Sequence, residues 1–294
     1  MHVLLSHMLL HAQENKYAVG AFNVNNFEYA DAFIKAAQET NSPLILQFSP
    51  GVLRTYQNSS LISACAAIAN ESSAPICLHV DHAKNIADIH LALSTGVFHS
   101  FMIDGSALPL EENIQLTNET SDLLHSSFQS KEENIFSIEA EIGHVGTSQK
   151  EPSHSTTLEE VNQFINATHV DALAISIGNI HGENDRNTEL DIPLLARIRN
   201  HCSIPLVLHG SSGIRPNQVQ LAISNGITKV NVNTYFKNAF TDTMCKNYEE
   251  KGNRFFKEYK LYHPPIHDTL KAKAIEMVQL LGSNNQSTSV FSSL

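Results

Sequence analysis

The chain has 294 residues, of which 42% are hydrophobic and 17% charged, a composition typical of a globular protein with a substantial apolar core. Its formal net charge is −11 and no block rich in Lys and Arg occurs, which argues against nucleic acid or an anionic membrane as the main partner. No run of about 18 consecutive apolar residues is present, so we expect no membrane-spanning helix.

The N-terminal segment and the cysteines indicate where the protein works. MHVLLSHMLLHAQEN lacks the basic region and the small-residue cleavage site of a signal peptide, and it is predicted to form a packed amphipathic helix. The four cysteines are scattered without a Cys-x-x-Cys pair. We therefore expect reduced thiols in a cytoplasmic protein, with neither a disulfide framework nor a cysteine zinc site.

Short apolar runs alternate with helical patterns along the whole chain. The predicted strands are Ala18–Asn23, Leu44–Phe48, Ile76–Val80, Ser100–Ile103, Ile135–Glu141, Ala172–Ser176, Leu206–His209 and Lys229–Asn233. The predicted helices are Phe27–Glu39, Ser59–Asn70, Ile86–Thr95, Leu110–Phe128, Leu158–Ala167, Ile192–Asn200 and Pro216–Asn225. Asn26, Thr157 and Pro216 are typical of helix starts.

Eight strands, each followed by a helix, predict an α/β fold of the (β/α)8 TIM barrel type. The alternative is a doubly wound open sheet. That fold typically has a Gly-rich turn after its first strand, but this sequence has Val24-Asn25-Asn26 at that position. No linker divides the chain, so we predict a single domain over residues 1–281 and a flexible tail over residues 282–294.

In such a barrel the chemistry lies at the carboxyl ends of the strands. His82, His181 and His209 lie at or just after the carboxyl end of a predicted strand. Three neutral imidazoles with an open fourth position are typical of a catalytic zinc site, whereas a structural site is closed by four ligands. A single histidine at a strand end is more often solvated or part of the core, but three at one rim favour the metal site.

Carboxylates and small residues surround these histidines. In PICLHVDHAKN, Asp81 is either a proton carrier or a residue that orients a neighbouring histidine, and Asp104, Glu139 and Glu141 end two further strands. The stretch from Gly210 to Gly213 precedes a predicted helix N-terminus, an arrangement that suits a phosphate group. Metal, phosphate site and carboxylate together fit a reaction that creates negative charge on a carbonyl oxygen.

Six blocks along the chain resemble one known family. They are AFNVNN, LHVDHAKN, EAEIGHVG, SIGNIHGE, LVLHGSSGI and KVNVNT, which run in order between about Tyr17 and Phe240. They resemble the class II, zinc-dependent ketose-bisphosphate aldolases, which include the fructose- and tagatose-bisphosphate enzymes. The helix near Pro265–Leu281 also fits this family.

The resemblance implies a lyase of carbohydrate metabolism, including glycolysis. The implied reaction is the reversible cleavage of a ketose 1,6-bisphosphate of the fructose or tagatose type to dihydroxyacetone phosphate and an aldehyde. The resemblance implies that His82, His181 and His209 hold Zn2+ and that Asp81 is the catalytic acid/base. Asp104 and Glu141 are implied as alternate-position ligands when the metal shifts.

Further expectations follow from the family. Its substrate and phosphate positions match Asn23, Ser49, Gly182, Gly210, Ser212, Asn231 and Thr234. A monovalent cation, Na+ or K+, and a homodimer or homotetramer are also implied. The partner is a small-molecule sugar phosphate, with no nucleic acid and no membrane.

The chain departs from the family where the aldehyde is expected. The loop GTSQKEP carries Gln149 and Lys150 where the family has Glu-Asp, and Asn184-Asp185 replaces a Tyr-Lys pair after His-Gly. Near the C-terminus HPPIHD replaces Asp-Pro-Arg, which removes one candidate for holding the second phosphate. These changes predict an aldehyde acceptor other than glyceraldehyde 3-phosphate.

Other mechanisms leave different marks in a sequence. A Schiff-base aldolase needs a lysine inside the barrel, but strands five to seven contain none, and Lys229 opens strand eight and is expected toward the other face. A metallohydrolase of the amidohydrolase type would want His-x-His at the end of strand one, where Asn23-Val24-Asn25 stands. The remaining alternative is a protein without catalytic activity, a barrel that binds zinc and a sugar phosphate. The altered loop supports this interpretation.

Overall fold

The computed structural model of the chain describes residues 3–55, 60–128, 135–146, 154–180, 182 and 188–287. Eight parallel strands form a closed barrel in chain order, and β8 pairs with β1 to complete it. The strands are β1 Val19–Asn23, β2 Leu44–Phe48, β3 Ile76–Ala83, β4 Ser100–Ile103, β5 Ser137–Ile142, β6 Ala172–Ile175, β7 Leu206–Leu208 and β8 Ile227–Val232. The predicted (β/α)8 barrel is confirmed.

Helices surround the barrel and join successive strands. They are α1 Leu5–Asn15, α2 Phe27–Glu39, α3 Pro50–Thr55, α4 Ser60–Glu71, α5 Ile86–Leu93, α6 Leu110–Ser127, α7 Leu158–Ala167, α8 Ile192–His201, α9 Pro216–Ser224, α10 Thr234–Lys251, α11 Arg254–Lys257 and α12 Tyr259–Leu280. The cap residues act as their types suggest: the Asn26 side chain accepts from Tyr29 N, and Thr157 and Glu160 form a capping box.

The apolar side chains divide into an outer and an inner core. The outer core lies between the strands and the surrounding helices and includes the fully buried rings of Phe22, Phe33 and Phe236. The inner core combines α1 with barrel-facing strand residues such as Ala21 and Val207. α1 therefore closes the amino-terminal end of the barrel, and the polar site occupies the opposite end.

One expectation about the barrel interior was wrong. β8 begins at Ile227, so Lys229 lies within the strand and its side chain is fully buried inside the barrel. Its Nζ lies 2.8 Å from Glu139 Oε2. Because this ammonium is ion-paired and closed off from solvent, it does not offer the free amine that a Schiff base requires.

The chain after α12 continues against the barrel. Ser283 is fully buried, and the backbone N–H groups of Asn285 and Ser287 donate to the carbonyls of Thr40 and Asn41, both at 2.9 Å. Residues 288–294 of the predicted tail lie outside the described residues, and the boundary at residue 281 stays a prediction. Among the described helices, none has both the length and the apolar character needed to cross a bilayer.

Candidate active site

The end of β3 is bent so that two adjacent side chains reach the same cavity. The pairing of β3 with β4 shifts register between Val80 and Ala83, and His82 adopts φ +53°. A left-handed conformation is uncommon for a residue with a side chain, and bulges of this kind redirect side chains next to active sites. Asp81 and His82 consequently both contribute to the wall of one cavity.

Amide groups from β1 and β8 hold the Asp81 carboxylate of β3. Asn23 Nδ2 donates to Asp81 Oδ2 at 2.7 Å, and Asn231 Nδ2 donates to Oδ1 at 3.3 Å. Gln47 Nε2 in turn donates to Asn23 Oδ1 at 2.8 Å, which fixes the orientation of the Asn23 amide. Both carboxylate oxygens of Asp81 therefore point in directions set by β1 and β8.

The charged form of Asp81 is favoured by its surroundings. Burial by itself would raise the pKa of Asp81, but the positive charges on His82, Lys229 and His209 and the Asn23 hydrogen bond outweigh it and lower the pKa. Asp81 is therefore ionised at neutral pH and can accept a proton from a bound hydroxyl group.

His82, Glu141 and His209 form the cluster best suited to a cation. One potential ligand atom from each lies within 4.8 Å of the others, and the two imidazole rings have centroids 4.7 Å apart. Glu141 Oε2 lies 3.1 Å from His209 Nδ1 and 3.9 Å from His82 Nδ1. Asp104 adds a second carboxylate, hydrogen-bonded to His82 Nδ1 and to Lys84 Nζ.

Carboxylates outnumber the histidines around this cluster. Burial alone would lower the pKa of both His82 and His209, but the neighbouring carboxylates raise both values, that of His209 to about 9. His82 and Lys84 hold the pKa of Asp104 far below its usual range, although burial opposes them. The half-buried imidazole of His82 and the buried imidazole of His209, among carboxylates, are a donor set that suits a divalent cation, and Zn2+ accepts these ligand types.

Backbone and hydroxyl groups line the other side of the cavity. Gly210 adopts φ +62° and leads into a 3-10 turn over Ser211–Gly213. Ser211 Oγ donates to the Asn231 carbonyl at 2.6 Å, and Ser212 Oγ accepts from Tyr235 N at 3.2 Å. The first bond joins the turn to β8 and the second joins it to the first turn of α10, whose N-terminus favours negative charge.

The structure brings most of the predicted site residues to one cavity of about 170 Å³. It is lined by Asn23, Gln47, Asp81, His82, Gly182, Gly210, Ser211, Ser212, Asn231, Asn233 and Thr234. His209, Glu141 and Asp104 are not lining residues, but each lies next to the ring of His82, which lines the cavity. Ser49 is absent from the lining, because β2 ends at Phe48 and the Ser49 carbonyl accepts from Val52 and Leu53 at the start of α3.

Some predicted residues cannot be placed, and others were missed. His181, the altered loop with Gln149 and Lys150, and Asn184-Asp185 lie outside the described residues. Gln47 was missed, and Ser211 and Asn233, although they lie in predicted strand-end segments, were not named as substrate-binding residues. The signal for Gln47 was available, since it is the one polar residue in the apolar strand LILQF.

Comparison with known proteins agrees with this geometry. The family described as fructose-bisphosphate aldolase class-II matches residues 3–286. The crystal structure of the YdjI aldolase from Escherichia coli K12 has a TM-score of 0.83 and 30% identity, covering 98% of this chain and 100% of that chain. A protein from Coccidioides immitis provisionally assigned as a fructose-1,6-bisphosphate aldolase has a TM-score of 0.83 and 27% identity, covering 96% of both chains. Fructose-bisphosphate aldolase from Campylobacter jejuni shares the fold, with a TM-score of 0.76 and 21% identity over 97% of this chain and 96% of that chain.

Proposed function

Because this chain belongs to the class II fructose-bisphosphate aldolase family and is therefore a carbon–carbon lyase, we propose that it is a zinc-dependent enzyme that cleaves a ketose 1,6-bisphosphate. The sugar is of the fructose or tagatose type, and the products are dihydroxyacetone phosphate and an aldehyde. The reaction is reversible.

The observation that carries this proposal is the position of the Asp81 carboxylate. It is held by Asn23 and Asn231 on one side, and its Oδ1 lies 3.8 Å from His82 Nε2 on the other. A carboxylate beside a cation cluster can take a hydroxyl proton from a sugar whose carbonyl oxygen faces the cation. Retro-aldol cleavage needs this pair of functions.

The residues that would hold zinc are His82 and His209, with His181 as the third imidazole. Glu141 and Asp104 are the carboxylates available when the ion shifts its position. When bound, zinc supplies Lewis acidity toward the ketose carbonyl and the charge that develops on it during cleavage.

The side chains of the protein carry out the proton transfer. Asp81 accepts the proton of the C4 hydroxyl while the C3–C4 bond breaks, and the C4 oxygen becomes the carbonyl of the departing aldehyde. The electron pair of the broken bond stays on the three-carbon fragment as an enediolate. Protonation of that fragment at C3 gives dihydroxyacetone phosphate.

The far side of the cavity supports binding of the dihydroxyacetone-phosphate end. Ser212 and Thr234 offer hydroxyl groups, and the turn at Gly210 allows close approach of backbone N–H groups. The Asn233 Oδ1 atom is buried without a hydrogen-bond donor, so a substrate hydroxyl would satisfy it.

A second candidate substrate is a ketose phosphate whose aldehyde product carries no phosphate. None of the described residues that line the cavity is a lysine or an arginine. The nearby cations Lys84 and Arg54 are bound to Asp104 and Asp88. A second phosphate group would therefore find little positive charge among the described residues.

The test is triose-phosphate release by purified, zinc-loaded protein from fructose 1,6-bisphosphate and tagatose 1,6-bisphosphate and, separately, from the corresponding ketose 1-phosphates, whose aldehyde product carries no phosphate. Asp81→Asn keeps the size of the side chain but removes its basicity, and Asp268→Asn, at a position 75% exposed on α12, is the matched control. We expect cleavage that EDTA and Asp81→Asn abolish and Asp268→Asn leaves unchanged.

The outcomes separate the candidates. Cleavage of only the sugars that yield an unphosphorylated aldehyde would favour the second candidate. Zinc binding without cleavage of either class of sugar would contradict the enzyme proposal and favour the non-catalytic barrel.

Three further properties belong to the proposal. Tyr248, Phe256 and Tyr259 are exposed on α10–α12, which supports contact with a second copy in a homodimer or homotetramer. The cysteines are free thiols, which supports a cytoplasmic location. A monovalent cation, Na+ or K+, near the phosphate turn completes the proposed cofactors.

A further inference from the structure

Four ionisable side chains lie together inside the barrel without exposed surface: Lys229, Glu139, His79 and His209. The cleavage mechanism uses His209 but not the other three. Lys229 and Glu139 come from β8 and β5, on different sides of the barrel interior, and His209 follows β7. A buried charged pair is costly to desolvate, so its presence directly beneath the cation cluster calls for a physical reason.

The four side chains are ordered around the Glu139 carboxylate. Lys229 Nζ lies 3.1 Å from Glu139 Oε1 and 2.8 Å from Oε2. His209 Nε2 is hydrogen-bonded to Oε1 at 3.0 Å, while His79 Nε2 stands 3.6 Å from Oε2. Lys229 therefore contacts both oxygens and fixes the plane of the carboxylate.

The bond from His209 determines which ring nitrogen faces the cation cluster. With Nε2 directed at Glu139, the other nitrogen, Nδ1, faces Glu141 at 3.1 Å. A carboxylate bonded to one nitrogen of a metal-ligating histidine orients the ring so that the other nitrogen is aimed at the metal. Glu139 is therefore placed to orient His209, and Lys229 is placed to hold Glu139.

We propose that Lys229 is a positioning residue that acts on the cation cluster through Glu139 and the orientation of His209. This inference rests on the proposed function, because Lys229 and Glu139 have a positioning role only if His209 is a zinc ligand. It predicts that Lys229, although it touches neither the cavity nor His82 and Glu141, contributes to zinc affinity.

The test is the zinc dissociation constant, measured by competition with a chromophoric chelator. The variants are Lys229→Met, Glu139→Leu and the double variant, and Lys273→Met on the surface of α12 is the matched lysine control. Each single variant should bind zinc about 10- to 100-fold more weakly than the parent protein. The double variant should bind zinc no more weakly than the weaker of the two single variants, because Lys229 acts only through the Glu139–His209 bond that Glu139→Leu already removes.

A spectroscopic readout separates positioning from general damage. The visible absorption bands of the Co2+-substituted protein should shift in the Lys229 and Glu139 variants and stay unchanged in Lys273→Met. Circular dichroism confirms that each variant is folded. If breaking the pair prevents folding, the double variant carries the test, since replacing a whole buried pair by apolar groups is tolerated far better than removing one partner.

The failures are distinguishable. Parent-like zinc affinity and parent-like Co2+ bands in folded Lys229→Met, or in the double variant where the singles do not fold, overturn this inference alone. Effects of the two single changes that multiply in the double variant overturn it as well. A parent protein that binds no zinc overturns it together with the zinc part of the proposed function.

Discussion

Removing the Asn23 amide should weaken catalysis without unfolding the barrel. Asn23→Ala deletes a 2.7 Å hydrogen bond to the buried carboxylate of Asp81. Hydrogen bonds to charged groups contribute about 1.5–3 kcal/mol. Since about 1.4 kcal/mol corresponds to a tenfold change in rate, kcat/KM should fall by about 10- to 150-fold.

The neighbouring glutamine provides the graded comparison. Gln47→Met removes the 2.8 Å bond to Asn23 but leaves Asp81 its donor. A neutral hydrogen bond contributes about 0.5–1.5 kcal/mol, so kcat/KM should fall by about 2- to 10-fold. The assay is triose-phosphate release from the sugar that the parent protein cleaves best, at one fixed zinc concentration.

Asn23→Ala should also shift the pH dependence of kcat/KM in a defined direction. The Asn23 amide lowers the pKa of Asp81, although burial opposes it, by favouring the ionised carboxylate. Its removal raises that pKa, so the acid limb of the kcat/KM profile should move to higher pH. Asn23→Ala activity within about twofold of the parent, or an acid limb that moves to lower pH, would refute the assigned role of this amide.

Four further predictions concern stability. Gly143→Ala should lower the free energy of unfolding by about 1–3 kcal/mol in urea titration, because the added Cβ lies 2.5 Å from Thr156 Oγ1 at a φ of +72°. Thr157→Ala should cost about 1 kcal/mol in the same titration through loss of the capping box of α7. Phe236→Ala should cost about 3–5 kcal/mol by leaving a cavity among buried rings, and parent-like stability would contradict the packing. Free zinc at about 100 times its dissociation constant should stabilise the folded protein by about 2.7 kcal/mol, seen as a higher Tm that excess EDTA reverses.

The barrel could be predicted because its signals are local. Strands such as LILQF and SFMI are apolar throughout, as expected where helices cover one face and an inner core fills the other. The helix starts at Asn26 and Thr157 are fixed by side-chain caps within three residues of chain. Neither signal depends on contacts between distant segments.

The details of the site depend on where each strand stops, which is not a local signal. The resemblance matched Ser49 to a substrate position, but Pro50 begins α3 immediately after it and the Ser49 carbonyl accepts from the first turn of that helix. The bulge at His82 arises from the register between β3 and β4, so it could not be read from either strand alone.

The error over Lys229 has a different cause, because the information needed was present in the sequence. Side chains two residues apart on a strand point to the same side, so an inward Asn231 at the cavity places Lys229 one layer deeper inside the same barrel. The same argument relates Glu141 to Glu139 on β5. On both strands, this alternation places a charged residue, Lys229 or Glu139, at the same depth beneath the site. A buried charge is stable there only when it is paired with an opposite charge. The alternation of side chains along β5 and β8 therefore predicts from the sequence that Lys229 and Glu139 can meet inside the barrel, where their charged atoms lie 2.8 Å apart.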